Sequence, residues 1–76
     1  MLNVADVLSS ASYEDLTRLV NLVFRHMDSA ERNHHITYTF GDRANKQTLI
    51  NACLLAFTTR SEKEVMDMLY SVGLLR

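Results

Sequence analysis

His34-His35-Ile36-Thr37-Tyr38-Thr39-Phe40 alternates polar and apolar side chains, the pattern of a strand with one covered face. Ile36, Tyr38 and Phe40 would point to the core, and His35, Thr37 and Thr39 to water or a ligand. The alternation predicts a strand over residues 35–40, broken by Gly41-Asp42. A strand's backbone N–H and C=O groups need partners, because burying them unpaired is costly. No second good strand is visible, so a second copy of the chain is expected to supply the pairing. The expected fold class is therefore α+β and mostly helical. The element order is helix–strand–helix–helix in one small domain, residues 1–76, completed by dimerisation.

Upstream, Val4, Val7 and Leu8 recur at i, i+3, i+4 and predict a short helical flap over the core. Ser12 suits an N-cap, with Asp15 as a weak capping-box partner. Leu16, Leu19, Val20, Val23 and Met27 then follow helical spacing, which predicts one amphipathic helix over 13–31 ending near Asn33. Glu14–Arg18 and Asp28–Arg32 would be i, i+4 pairs on its solvent face. Leu22 and Phe24 lie off the stripe, so a second side of this helix should also be covered.

Downstream, Asp42 is the expected cap of a helix over 43–58. Leu49, Ile50 and the run from Ala52 to Phe57 leave no polar face, which marks a central helix or an oligomer interface. Ala52 and Ala56 would allow close helix approach. Ser61 and Glu64 form a Ser-x-x-Glu capping box. Val65, Met68, Leu69 and Val72 make the next stripe, and Gly73 stands where a C′ glycine closes a helix, with Leu74 folding back towards Leu69.

Composition narrows the function. The chain has 76 residues, a single cysteine and a net charge of −1. One cysteine cannot make an internal disulfide, which fits a reducing compartment. The N-terminus lacks a basic region, and the longest apolar run falls far short of the ~20 residues that span a bilayer. A cytoplasmic location is expected. The near-neutral balance argues against a dedicated nucleic-acid binder. Charge is uneven: Arg18 and Arg25 oppose Asp6, Glu14, Asp15, Asp28 and Glu31, while Arg32, Arg43 and Lys46 oppose only Asp42.

The reactive side chains read as structural. His34 and His35, adjacent on a strand, would point to opposite faces and could not easily share an ion with His26. Cys53 lies in the most apolar part of its helix, where a thiol behaves as a small hydrophobe. Glu14, Asp15, Glu62 and Glu64 sit at helix starts, where capping and the helix dipole account for them. Two glycines leave no phosphate loop. No catalytic, metal or cofactor residues are assigned.

The order strand–helix–helix over roughly 34–73 resembles ribbon-helix-helix regulators, without a diagnostic motif. That resemblance implies a dimeric DNA-binding transcriptional regulator. Arg32, His35, Thr37, Thr39, Arg43 and Lys46 would be its nucleic-acid contacts, and the helix start at Ser61 a phosphate contact. The strand face lacks the Arg, Lys, Asn or Gln that typically read base edges. The favoured reading is a non-enzymatic protein-binding module, an adaptor, inhibitor or regulator of a larger protein, working as a homodimer. Its candidate interface is Thr37, Tyr38, Thr39, Leu54, Phe57, Met66 and Tyr70.

Overall fold

The computed structural model describes residues 3–33 and 45–75. All regular structure among them is helical: α1 (Val4–Ser10), α2 (Tyr13–Arg25), α3 (Lys46–Phe57) and α4 (Glu62–Ser71), with a further helical stretch at 29–33. The expected α+β class is corrected to all-α. The proposed strand at 35–40 lies outside the described residues. The physical reason for the correction is α1. Leu8 is fully buried, and α1 and α2 both pack on α3. The apolar excess of α3, which marks either a central helix or an oligomer interface, is mostly absorbed within one chain.

Each helix start is capped by a short polar side chain. Asp6 N–H donates to Asn3 Oδ1 (3.3 Å), Asp15 N–H to Ser12 Oγ (3.1 Å) and Glu64 N–H to Ser61 Oγ (3.2 Å). These contacts satisfy N–H groups that have no partner within the helix. The cap of α3 is Asn45 rather than Asp42. Thr48 N–H donates to Asn45 Oδ1 (3.0 Å) and Asn45 N–H to Thr48 Oγ1 (3.2 Å), a reciprocal capping box.

The single helix expected over 13–31 is broken. α2 stops at Arg25, and Asp28 accepts from Glu31 N–H at 2.8 Å, capping residues 29–33. An Asp side chain that can bond the backbone three residues on competes with helix continuation. The Glu14–Arg18 pair is replaced by Arg18–Asp15. The stripe itself holds: Leu16, Leu19, Val20, Val23 and Met27 are all buried, and Leu22 and Phe24 are partly so.

α4 ends in a Schellman motif. Gly73 has φ 81°, a left-handed conformation that glycine adopts without a Cβ penalty. Leu74 N–H donates to Leu69 C=O (2.9 Å) and Gly73 N–H to Tyr70 C=O (3.1 Å). No described helix is long and apolar enough to cross a membrane.

Candidate functional site: a groove between three helices

The C-terminal half of α3, the start of α4 and Val4 of α1 enclose an open groove of about 590 Å³. Its apolar lining is Val4, Leu54, Phe57, Val65 and Met66, with Thr58, Arg60 and Glu62 completing it. Helical spacing builds this wall. Phe57 and the C-cap Thr58 follow Leu54 by three and four residues at the end of α3, and Val65 and Met66 follow Glu62 by three and four on α4. Apolar residues held in a concavity with few polar groups are the ordinary make-up of a binding site.

Three of the candidate interface residues, Leu54, Phe57 and Met66, therefore meet in one place. Tyr70 lies one turn beyond Met66 and is 48% exposed, but it does not line the groove. Thr37, Tyr38 and Thr39 lie outside the described residues. Met68 and Leu69 are buried on the core side of α4. Sequence reasoning missed Val4, Thr58, Arg60, Glu62 and Val65 as groove residues. Val4 comes from the N-terminal flap, whose docking position no local pattern encodes. Leu55, 48% exposed, is a further apolar side chain that the fold leaves in water.

The floor of the groove is braced by Arg60, whose side chain is only 8% exposed. Its Nη1 donates to Ala56 C=O (2.7 Å) and to Glu31 Oε1 (3.1 Å), and Nη2 to His26 C=O (3.3 Å). One guanidinium thus ties the α3–α4 turn to the end of α2 and to residues 29–33. A fork of donors on a planar cation suits this better than lysine could.

Two of the candidate nucleic-acid contacts serve the same kind of purpose. Arg32 Nε donates to Phe24 C=O (3.2 Å) and Nη2 to Met27 C=O (3.1 Å). Lys46 Nζ donates to Ser9 C=O (3.1 Å). The ends of α1, α2 and α3 therefore each receive a cation from elsewhere in the chain, where terminal carbonyls lack helical partners and the dipole is negative. His35, Thr37, Thr39 and Arg43 lie outside the described residues. At the start of α4, the Ser61 hydroxyl is engaged with Glu64, and Glu62 and Glu64 put negative charge where a phosphate would sit.

Cys53 is 1% exposed, and burial pushes its thiol from 9.0 up to about 12. A thiol held protonated and out of contact with water is a poor nucleophile. Among the described residues, no group of three His, Cys, Asp or Glu side chains could hold a metal ion. No family model, curated protein or solved structure matches this chain.

Proposed function

We propose that this protein is a non-enzymatic binding module that acts as a homodimer in the cytoplasm and docks a segment of a larger protein. The observation that carries the reading is the apolar groove of Val4, Leu54, Phe57, Val65 and Met66. Its neighbours Leu55 and Tyr70 remain about half exposed although the four-helix core is closed without them. Apolar side chains left beside a concavity on a small domain are what a partner's apolar face would cover. The Arg60 brace supports the same reading, because it fixes the α3–α4 turn at the foot of the groove to the end of α2 and to Glu31, and a fixed turn costs less ordering on docking. The DNA-binding alternative draws less support, since Arg32 and Lys46 direct their charges at carbonyls of their own chain.

A photo-crosslinking residue at Thr58, which is exposed and lines the groove, tests this in the native cell. It should yield a discrete heavier adduct that the same probe at Glu14 on α2 does not give. Identical patterns from both positions, or no adduct from Thr58, would refute the reading.

A further inference from the structure

We infer that the groove of Val4, Leu54, Phe57, Val65 and Met66 receives a basic amphipathic helix of the partner protein, laid along α4 with a lysine or arginine against Glu62. This rests on the docking reading above and names the chemistry of what docks.

The backbone argues for a helix. The groove is walled by α1, α3 and α4, and all regular structure among the described residues is helical, so no strand edge lines it. An extended segment pressed against these walls would bury N–H and C=O groups with nothing to pair them, which is costly. A helix bonds those groups within itself and presents only side chains, so it can cover an apolar wall without that loss.

α4 sets the length and the order of contacts. Glu62, Met66 and Tyr70 stand at i, i+4 and i+8, one ridge of the helix. At about 1.5 Å per residue this ridge runs about 12 Å, or roughly two turns of a partner helix. It begins at a carboxylate, passes the thioether that lines the groove and ends at a half-exposed aromatic ring just beyond it.

The polar lining decides the sign of the partner's charge. Thr58 Oγ1 is spent on Leu55 C=O (2.7 Å). Arg60 is buried, and its guanidinium is taken up by the Ala56 and His26 carbonyls and neutralised by Glu31. Glu62 is exposed and forms no hydrogen bond or ion pair among the described residues. Lys63 beside it does not line the groove, and Glu64 and Asp67 join Glu62 in outnumbering it, so the start of α4 stays negative even against the positive end of the helix dipole. Among the described residues, the one uncompensated charge on the groove wall is therefore a carboxylate, and it favours a cation on the occupant.

Selection from a randomised library of peptides of about 16 residues, enough for about four helical turns, tests this on the purified full chain and on its Glu62→Lys and Leu54→Gln variants. Wild type should enrich peptides with apolar residues at i, i+3 or i+4 and i+7 and an excess of Lys and Arg. Glu62→Lys should keep the apolar spacing but enrich Asp and Glu instead. By fluorescence anisotropy, it should weaken the best wild-type peptide at least about threefold, since an exposed ion pair is lost and a repulsion gained. Leu54→Gln should weaken the same peptide at least about tenfold. Circular dichroism of both variants, expected to match wild type, excludes loss of fold. A wild type that enriches nothing, winners without helical spacing, winners that are acidic, or a preference unmoved by Glu62→Lys would each overturn the inference. So would self-crosslinking of the purified chain through a probe at Thr58, because a second copy would then occupy the groove. The Thr58 crosslink in the native cell reads docking itself, so a discrete adduct there beside a failed peptide selection removes this inference and leaves the docking reading standing.

Discussion

α2 and α3 are helices of similar length with opposite surfaces. α2 buries one stripe, Leu16, Leu19, Val20 and Val23, and turns Glu14, Arg18, Asn21 and Arg25 to water. α3 buries Leu49, Ile50, Ala52, Cys53, Ala56 and Phe57, a broader face than the α2 stripe, and packs on both α1 and α2. The width of the apolar face reports how many neighbours a helix has. α3 is the hub, and α2 is one layer laid on it. Ala52 and Ala56 make this possible, because small side chains let neighbouring backbones come close without loss of packing.

The most sensitive way to break that comparison is the hub's own thiol. If α3 is enclosed, Cys53 should react with a thiol reagent at pH 8 only through opening of the core. Its labelling should be roughly a thousandfold slower than that of the chain in denaturant. The sign of the pH effect follows from burial. The folded thiol keeps its proton beyond the unfolded value of 9.0, towards about 12. Its contribution to stability is therefore complete below pH 9 and is lost as pH rises towards 12. Urea titrations of wild type and Cys53→Ala across this range should show an alkaline slope that the variant lacks. Fast labelling of the folded protein would mean that the hub is open.

The layer is tested at Leu19, which is fully buried. Leu19→Ala should cost about 3 kcal/mol, read by urea unfolding, from lost burial and the cavity left behind. Asn21→Ala, on the opposite side of the same helix, should change stability little.

The two helices are legible in the sequence to different degrees. The buried stripe of α2 repeats at 3.6 residues, so periodicity alone places it. Its end is harder to read, because Asp28 and Glu31 pass for surface charges, although their Asp-x-x-Glu spacing is itself a helix-start signal. The extent of α3 is close to the expected one, but its role is ambiguous. A helix that is apolar all round reads the same whether its neighbours come from its own chain or from another. Only the docking of α1 decides between these, and docking is a long-range property. The groove is half legible. Leu54, Phe57 and Met66 stand out as candidate interface residues, but their convergence depends on the tight turn from Thr58 to Arg60. The Arg60 brace is invisible in the sequence, because its acceptors include backbone carbonyls at His26 and Ala56 that no residue type announces.

That brace and the cap at Asn45 hold the two ends of the hub, and they should differ in weight. Arg60→Met should destabilise by about 2 kcal/mol, because the Ala56 and His26 carbonyls and Glu31 all lose a donor in a partly buried setting. Asn45→Ala removes one exposed cap and should cost about 1 kcal/mol, with Asn45→Gly costing less. Thermal melts followed by circular dichroism will rank them. Equal losses would mean that Arg60 adds no more than an ordinary cap.

The smallest effect belongs to Leu55, the large apolar side chain that the hub leaves in water. Leu55→Gln should shift stability by less than about 0.5 kcal/mol, the range of surface substitutions that break no specific contact. Its value lies in how the result depends on concentration. If α3 ends at the surface of a single chain on this side, the small shift will be the same in dilute and concentrated samples. If a second copy covers this face, the wild-type melting temperature will rise with protein concentration, and Leu55→Gln will remove much of that rise. Leu55 therefore separates a hub with one open side, which a foreign partner could use, from a hub closed by its own kind.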